Sequence, residues 1–274
     1  MMVNVLGLNL ANYDDHPGWN ARLPLIVDAI VESNADIIGL SENRYNSNNF
    51  FNTIAAQFWA TKYPNATPPP ANQNDMGAQI LALLQTCPGY EQGVIKTNLP
   101  QQPGGVSEGL SIISRVPVLN SGYVQLSSSG ADANVRITQW AAIQLQSTTL
   151  YVYNTHFALD EADRVTNAQQ TLTLIGANVN GLCCLVGDLN ETPDDPALQI
   201  LARAGLVDVW AVAQPGANGY TFPSSGPIKR IDYCWASPSM ASNVSRIALA
   251  ATQISGGVLY ASDHLGLLTR FNIS

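Results

Sequence analysis

Short apolar segments that end in a polar residue recur along the whole chain and restrict the folds that it can adopt. Val3–Leu10, Asp36–Glu42 and Cys183–Asp188 have the length and apolar content of buried strands. Further strands follow in hairpin-like series with helices interspersed, and no linker separates two compositions. This pattern predicts one α/β (α+β) domain over residues 1–274, in which two packed sheets carry helices on their outer faces.

Segments whose apolar residues recur at helical spacing lie between several of these strands. Leu23–Ile30 predicts an amphipathic helix, two more are expected near 76–86 and 196–204, and Asp160 can cap another. The aromatic side chains of Phe50–Phe58 also recur at helical steps. A lipid-binding patch is one interpretation of that segment, but a helix that faces the core is favoured.

Composition narrows the class of partner. Hydrophobic residues make up 46% of the chain and charged residues 12%, which is typical of a globular protein. No apolar run reaches the roughly 18–20 residues that span a bilayer, so stable membrane insertion is not expected. The net charge of −8 disfavours a long basic patch for nucleic acid. No signal peptide pattern precedes Val3, and a processed, secreted protein remains compatible with the composition, so the compartment stays open.

The four cysteines show neither a CxxC motif nor a zinc-ligand spacing. Cys183, Cys184 and Cys234 lie in apolar, strand-like runs, so buried free thiols are expected there. A disulfide to Cys87 is the alternative.

The stretch Cys183–Pro193 contains the most informative strand end. Asp188 and Asn190 follow a buried apolar run, and alternation along an extended chain would point both side chains the same way. A carboxylate beside an amide can hold a hard divalent cation or a phosphoryl oxygen. An Asx turn that ends the strand is the alternative interpretation.

Polar groups able to do chemistry stand at most of the other strand ends as well. Catalytic residues often collect on loops at one edge of a rigid sheet, so we expect these side chains to converge. Any single one of them could instead be a cap or a surface residue. His16, before Pro17 in a loop, is interpreted as incidental. The candidate set is Asn9, Glu42, His156, Asp188, Asn190, Asp232, Asp263 and His264.

Six short blocks that carry these residues resemble, in order, the endonuclease/exonuclease/phosphatase superfamily of DNase I-like phosphoesterases. A seventh resembles the DNase I-type strand that carries a glutamate, and the departures are mild, with Ser41 before the glutamate and Leu189 between Asp188 and Asn190. The resemblance implies a four-layer α/β sandwich of two mostly antiparallel sheets whose strand ends form one cleft. The blocks are Asn9, Ser41-Glu42, Glu108–Arg115, Asn154-Thr155-His156, Gly187–Asn190, Arg230–Tyr233 and Ser262-Asp263-His264.

The resemblance also implies a metal site. Glu42 would be the principal carboxylate on Mg²⁺ or Mn²⁺, with Ca²⁺ a further candidate, and Asn9 and Asp263 would complete an oxygen-rich site. Oxygen ligands of this kind are those that hard divalent cations prefer. Asp188 and Asn190 would position the nucleophilic water or a second metal.

The remaining roles implied by the resemblance concern the two histidines and the substrate. Asp232 would fix the tautomer of His264, which would act as base or as a phosphate-stabilising cation. His156 would contact the scissile phosphate and pair with Glu108, and the choice between base and acid stays open. The substrate-binding residues predicted are Arg44, Arg164 and Asn154; for Arg44 a surface position and for Arg164 a salt bridge with Asp160 are the alternatives.

The sequence is compatible with three functions. The leading hypothesis is a metal-dependent phosphodiesterase of nuclease type, monomeric, with modest affinity for DNA or RNA. The second is a phosphoesterase that acts on small-molecule or lipid head-group phosphates. The third, a catalytically silent binding module, is disfavoured because a degenerate copy usually loses some of the residues that are all present here.

Overall fold

Two six-stranded sheets form the centre of the computed structural model, which describes residues 1–45, 75–102, 107–252, 254–255 and 259–273. The predicted helix over Phe50–Phe58 lies outside the described residues. The strands are β1 (Met2–Asn9), β2 (Ile37–Tyr45), β3 (Val94–Asn98), β4 (Ser107–Ser114), β5 (Val118–Gln125), β6 (Ile137–Leu145), β7 (Thr148–His156), β8 (Cys183–Asp188), β9 (Val207–Asp208), β10 (Asp232–Ala236), β11 (Val244–Ala250), β12 (Ile254–Ser255), β13 (Leu259–Tyr260) and β14 (Gly266–Asn272).

The first sheet has the strand order β11-β14-β1-β2-β4-β3, and the second has the order β5-β6-β7-β8-β10-β9. Strands β12 and β13 form a separate short hairpin. Within each six-stranded sheet only one neighbouring pair is parallel, β1 with β2 and β7 with β8. The prediction of two mostly antiparallel sheets is therefore confirmed.

Helices cover the outer face of each sheet. One apolar cluster packs the first two helices against the first sheet, a second lies between the sheets, and a third packs the next two helices against the second sheet. These layers confirm the four-layer α/β sandwich. The helices are α1 (Trp19–Ser33), α2 (Met76–Leu84), α3 (Glu161–Ile175), α4 (Pro196–Arg203), α5 (Val209–Ala213) and α6 (Pro238–Ala241), and a 3₁₀ turn follows α3 at Gly176–Asn180.

The two parallel pairs determine where the polar strand ends meet. Helix α1 connects β1 to β2, and helix α3, capped by the side chain of Asp160, connects β7 to β8. Parallel neighbours present their carboxyl ends at one edge, so Asn9 lies beside Ser41 and His156 lies beside Asp188. Asn9, His156 and Asp188, together with Glu42 directly after Ser41, therefore reach one edge of the sandwich through two βαβ units.

The sheets approach closely at their centres because one position in β2 has no side chain. A Cβ on Gly39 would lie 2.6 Å from Cγ2 of Val186 in the opposite sheet. Beside this contact, the Asn154 amide nitrogen donates hydrogen bonds to the carbonyl oxygens of Leu40 (2.9 Å) and Ser111 (3.2 Å). An apolar contact and a polar bridge thus fix the sheets against each other.

The cysteines meet a further expectation. All four cysteines are buried and free, including Cys87, as expected for thiols in a packed core. None of the helices in the described part of the chain is long and apolar enough to cross a membrane.

Candidate active site

A cleft of about 430 Å³ opens at the edge where the carboxyl ends of the two parallel pairs meet. It brings together residues from both sheets that are far apart in the sequence. Of the residues predicted from sequence, those that line it are Glu42, Arg44, Glu108, His156, Asp188, Asn190, Asp263 and His264. Asn9 and Asp232 lie directly behind this lining, bonded to Asp188 and His264 respectively.

Asp188, the last residue of β8, is the centre of the cleft. Its Oδ2 lies 3.5 Å from Nε2 of His156 and 3.6 Å from Nε2 of His264, and it accepts a 3.1 Å hydrogen bond from Asn9 Nδ2. The preceding Gly187 has φ 141°, and a Cβ there would lie 1.9 Å from the carbonyl oxygen of Thr155. Only glycine permits this approach, so Gly187 is what allows β8 to deliver Asp188 beside His156.

His264 is held from two sides. Its Nδ1 lies 2.8 Å from Oδ2 of Asp232, and its ring packs against Phe222 with 4.8 Å between ring centroids. The Asp232 contact leaves Nε2 of His264 directed toward Asp188. A carboxylate on one imidazole nitrogen fixes the ring and favours its protonated form.

A bulge in β2 directs Glu42 into the cleft. Leu40 pairs with Ser111 and Asn43 with Gly109, so Ser41 and Glu42 together face the single residue between them in β4. Glu42 has φ 54°, a left-handed conformation that is strained for a residue with a side chain. Its carboxylate is then held by Asn9 Nδ2 at 3.0 Å on Oε1, and by the backbone nitrogen and Nδ2 of Asn12 on Oε2.

Asn190 is also in the left-handed region, with φ 51°. Its backbone nitrogen donates to Oδ1 of Asp188 (2.9 Å), and its side-chain nitrogen donates to the carbonyl oxygen of Phe157 (3.0 Å). The turn after β8 is therefore an Asx-type turn, and Asp188 and Asn190 also line the cleft.

Burial and the neighbouring charges separate the two histidines electrostatically. Burial lowers the pKa of His156 well below its usual value, and the positive charges of Arg136 and His264 lower it further. Burial would also lower the pKa of His264, but the carboxylates of Asp232 and Asp188 outweigh it and raise the pKa. Burial raises the pKa of Asp188, against the opposing effect of His264. At neutral pH the cleft therefore holds one neutral and one cationic imidazole around a buried carboxyl group.

Glu108 lies in an ion pair with Arg44, whose guanidinium is 2.8 Å from Oε2 of Glu108 and 3.3 Å from Asp15. Burial and the nearby Glu42 raise the pKa of Glu108 to about 7, while Arg44 opposes this shift. The carboxylate that was predicted to pair with His156 thus pairs with the arginine that was predicted to contact substrate. Arg44 is directed into the cleft but is neutralised by acidic neighbours.

Asp188, Asp232 and His264 also form a candidate metal site, since each offers one ligand atom and these atoms lie within 4.8 Å of one another. All three residues are buried. The 2.8 Å contact between Asp232 and His264 already engages one atom of each.

The match to a family model decides the relationship of the chain to known proteins. Residues 3–264 match the model described as the Endonuclease/Exonuclease/phosphatase family. The chain belongs to this family. Members of the endonuclease/exonuclease/phosphatase family are in general hydrolytic phosphoesterases that depend on divalent metal ions, so the candidate metal site and the buried carboxylates have the setting that this chemistry requires.

Solved structures of family members share the fold. An endonuclease/exonuclease/phosphatase family protein from Leptotrichia buccalis has a TM-score of 0.74 at 18% identity, with 99% of this chain and 100% of that chain covered. A mannosyl-6-phosphatase from Bacteroides thetaiotaomicron has a TM-score of 0.68 at 20% identity, with 97% and 98% covered. TDP2 from D. rerio, complexed with a single-strand DNA product, has a TM-score of 0.66 at 14% identity, with 99% of each chain covered. A search of curated proteins finds no significant match.

For this member of the endonuclease/exonuclease/phosphatase family, Asn154, which was predicted to bind substrate, is not among the described residues that line the cleft. Its side chain is fully buried between the sheets, and both hydrogen bonds of its amide nitrogen go to carbonyl oxygens of the first sheet. Asn154 stands two residues before His156 in β7, so both side chains lie on the same face of the strand. Asn154, however, lies deeper in the sandwich.

Arg164 is likewise engaged away from the cleft lining. Its Nε pairs with Glu191 and its Nη1 donates to the carbonyl oxygen of Leu159. The alternative salt bridge with Asp160 is not the observed one, because Asp160 instead accepts hydrogen bonds from the first turn of α3. Arg164 therefore fastens α3 to the loop after Asn190.

Sequence reasoning missed several residues of the cleft. His16, interpreted as incidental, lines the cleft with its Nε2 3.4 Å from Oδ2 of Asp263. Arg136 lines it as well, held by Asp132 at 2.9 Å. No spacing rule points to these residues, because they stand in loops or at the start of a strand. The other lining residues that were not predicted are Asn12, Asp15, Asn134, Leu159, Phe222 and Ile231.

Proposed function

We propose that the chain hydrolyses phosphodiester bonds with the help of a divalent cation, most simply Mg²⁺. The observation that carries the proposal is the arrangement of Asp188 within 3.6 Å of both His156 and His264, with His264 held by Asp232. A carboxylate between two imidazoles can orient a water molecule and exchange its proton with a neighbouring ring.

The residues present fit a hard divalent cation. Glu42 and Asp188 offer carboxylate oxygens on either side of one side-chain amide, that of Asn9, and Asp263 lines the same cleft. Such an oxygen-rich set suits Mg²⁺, which needs few protein ligands because it keeps several waters. When bound, the cation would neutralise charge on the phosphate oxygens and on the leaving group.

Asn9, expected from the resemblance as a metal ligand, instead donates hydrogen bonds to two carboxylates. Its Nδ2 faces the carboxylates of Glu42 and Asp188, and its Oδ1 accepts a hydrogen bond from the backbone nitrogen of Ala11. In this orientation Asn9 holds two acidic side chains together. We therefore assign the ligand role to Glu42 and Asp263 first, with Asn9 as the group that aligns Glu42.

The histidines and Asp188 would do the proton chemistry. Asp232 fixes the ring of His264 so that its Nε2 faces the cleft, where it can hold a phosphate oxygen. Asp188 and the backbone turn at Asn190 would orient the attacking water, and the neutral His156 would donate or accept a hydrogen bond at the same phosphate. Attack of that water on phosphorus forms one P–O bond as the ester P–O bond breaks; the water gives its proton to the carboxylate of Asp188, and the leaving oxygen takes up a proton from the imidazolium of His264.

Substrate binding would rest on few cations. Arg136 and Lys229 line the cleft, Arg136 with its Nε paired to Asp132, and the terminal nitrogens of Arg44 are paired with Glu108 and with Asp15. Each phosphate contact adds to the affinity for a polyanion, so two contacts support short substrates better than long nucleic acid. The same observation supports, as the second candidate, a phosphoesterase that acts on small-molecule phosphates.

Two substrates with one metal control test the proposal. Bis-p-nitrophenyl phosphate and plasmid DNA are incubated with the protein and Mg²⁺, and a parallel reaction contains EDTA. EDTA-sensitive turnover of the diester is the expected result, and slower nicking of the plasmid would support the nuclease type. No turnover of any phosphate ester, together with retained binding of one, would instead identify a binding module.

A further inference from the structure

A second hollow of about 430 Å³ lies next to the cleft, and Lys229 lines both. Two large hydrophobic side chains face this hollow, Tyr220 and Ile228. The exposed polar residues Asp194 and Asn218 also line it. The site described above uses none of these four side chains.

The segment that carries this hollow is fixed to the catalytic elements. The backbone nitrogens of Thr221 and Phe222 donate to the carbonyl oxygen of Lys229 (2.7 and 3.0 Å), and the carbonyl oxygen of Thr221 accepts from Leu265 (2.8 Å). Phe222 packs on the ring of His264. Thr221, which follows Tyr220, is thus hydrogen-bonded to Leu265, which follows His264. The hollow therefore has a fixed position relative to the reacting phosphate.

The exposure of these side chains needs an explanation. Tyr220 is 37% exposed and Ile228 is 67% exposed, and isolated apolar side chains at the surface are common. Here, however, two of them share one concave surface directly beside a polar cleft, and Leu159, 63% exposed, lines the cleft itself. Exposed apolar groups clustered at a cleft are typical of a ligand-binding surface.

We propose that this hollow is a subsite for a nucleobase whose nucleotide carries the scissile phosphate. The inference rests on the proposed function and specifies its substrate class as short nucleotide diesters. The ring of Tyr220 and the side chain of Ile228 offer an apolar platform for a flat base, and Lys229 stands between platform and phosphate.

The polar members of the hollow favour a base over an acyl chain. A long chain needs a continuous apolar wall, whereas Asp194 and Asn218 interrupt this one with hydrogen-bonding groups. A base has donors and acceptors along its edges that such groups can meet. The net charge of −8 further favours a short nucleotide over a long polyanion.

The test compares two diesters that share a leaving group and differ in the group that stays on the phosphate. Thymidine 5′-(4-nitrophenyl) phosphate carries a base, and methyl 4-nitrophenyl phosphate does not. The ratio of their kcat/KM values is measured with Mg²⁺ for the wild type, for Tyr220→Ala and for Tyr220→Phe. The wild type is expected to prefer the thymidine ester, and Tyr220→Ala is expected to lower the ratio about tenfold, because stacking on an aromatic ring is lost. Tyr220→Phe, which keeps the ring, should restore the ratio.

Leu119→Ala is the matched control, since Leu119 is a large apolar residue on β5 that is 55% exposed. It should leave the ratio as in the wild type. An unchanged ratio in Tyr220→Ala, while both esters are hydrolysed, would overturn the subsite and leave the proposed function intact.

If the wild type hydrolyses neither ester, the proposed function fails, and the subsite is then tested by binding alone. Calorimetric titration with thymidine 5′-monophosphate should show binding that Tyr220→Ala weakens about tenfold and Tyr220→Phe retains. Equal affinity of the wild type and Tyr220→Ala, or no binding at all, would overturn the subsite as well.

Discussion

At the scale of single residues, His264 is the side chain whose loss we expect to reduce turnover most. Asp232 holds its Nδ1 at 2.8 Å and leaves Nε2 facing Asp188. We predict that His264→Ala lowers kcat for bis-p-nitrophenyl phosphate by about 100- to 10,000-fold, the usual range for a positioned proton-transfer group. Far-UV circular dichroism should show that the variant remains folded. A rate near that of the wild type would remove His264 from its role.

His16→Ala is the matched control for this prediction. His16 lines the same cleft, but its side chain is 41% exposed and its one described ionic partner is Asp263. We expect a loss of activity at least tenfold smaller than that for His264→Ala. Comparable losses for the two variants would mean that any histidine removed from the cleft inactivates the protein, and that the Asp232 contact has no special part.

A second prediction at this scale concerns Arg22, a buried residue of α1. Its guanidinium donates hydrogen bonds to the carbonyl oxygens of Leu10, Ala11, His16 and Ala261, which belong to the two loops leading to Asn12 and Asp263. Burial lowers the pKa of Arg22 to about 10, and the carboxylates of Asp263 and Glu42 oppose the shift, so it stays charged at neutral pH. Arg22→Met should destabilise the fold by about 3 kcal/mol or more, because several buried acceptors lose their donor.

Arg22→Lys separates the positioning effect from stability. Lysine keeps the charge and has three donors, but it lacks the planar fork that reaches both loops. We expect a smaller loss in urea unfolding, together with a weaker rise in melting temperature on addition of Mg²⁺. A full Mg²⁺-dependent rise in Arg22→Lys would show that Arg22 only stabilises the core.

The residue types of the cleft could be predicted from the sequence where a strand pattern ends in a polar group. Asp188 is found in this way because a buried run leads into it, and His264 is found because an apolar, strand-like run begins directly after it. Arg136 and His16 could not be, since their placement depends on hydrogen bonds to Asp132 and on a loop that crosses the cleft. The same limit applies to Asn154, because the sequence gives the face of a strand but not the depth of the residue in the sandwich.

At the scale of elements, the long strands and helices follow directly from periodicity, and the elements that escaped detection are short or lie at an edge. β3 has the mixed sequence Val94-Ile95-Lys96-Thr97-Asn98 and pairs on one side only, with β4. An edge strand needs no continuous apolar run, because one of its sides faces solvent. The bulge at Glu42 is also invisible in the sequence, since it depends on the register between β2 and β4.

The contact between the sheets yields a prediction for the centre of the sandwich. A methyl group on Gly39 would lie 2.6 Å from Cγ2 of Val186 and 3.1 Å from the side chain of Asn154. Gly39→Ala should therefore reduce the free energy of unfolding by about 1–3 kcal/mol, as overpacking usually does. In the double variant with Val186→Ala, the loss should be smaller than the sum of the two single losses by about 1 kcal/mol.

Urea unfolding measures this cycle, and Gly226→Ala is its control. Nothing lies within 4 Å of a Cβ at Gly226, so its effect should stay within about 0.5 kcal/mol. Strict additivity of Gly39→Ala and Val186→Ala would show that the two sheets do not meet at these positions.

Asp132 gives a pH-dependent prediction for the two loops beside the cleft. It accepts hydrogen bonds from the backbone nitrogens of Asn134 and Leu159 and from Arg136 Nε. Burial would raise the pKa of Asp132, but these hydrogen bonds and the charge of Arg136 outweigh it and lower the pKa below its usual value. A carboxyl group with a lowered folded-state pKa contributes stability above its unfolded pKa of about 3.9, and this is lost as the pH falls through the folded value.

Asp132→Asn is the variant that tests this. It should unfold more easily than the wild type at pH 7, by about 1–3 kcal/mol, because a charge-assisted network is weakened. In urea unfolding, the gap between the two proteins should narrow as the pH is lowered below about 4. A gap that stays constant from pH 7 to pH 3 would contradict an ionised Asp132 in the folded state.

At the scale of the whole molecule, the shared fold leaves the substrate open, and the charge of the chain bears on its size. The fold is shared with TDP2 from D. rerio, whose structure holds a single-strand DNA product, and with a mannosyl-6-phosphatase. This chain has 12 Lys+Arg against 20 Asp+Glu, and both arginines of the described cleft are paired with acidic side chains, Arg44 with Glu108 and Asp15 and Arg136 with Asp132. The net charge could be predicted in full, because it is counted from the sequence. The ion pairs of Arg44 could not, because they form only where the segments that carry Asp15, Arg44 and Glu108 meet in the fold.

The dependence of cleavage on salt follows from this balance. If Arg136 and Lys229 make the phosphate contacts, the slope of log kcat/KM against log salt for DNA cleavage should be near −2, since each contact contributes about −0.9. Lys229→Gln should make that slope shallower by about one. Methyl 4-nitrophenyl phosphate, with a single charge, should show almost no slope at the same fixed Mg²⁺ concentration. A slope of −6 or steeper for DNA would require a basic surface outside the cleft described here, and nucleic acid would then replace short diesters as the expected substrate.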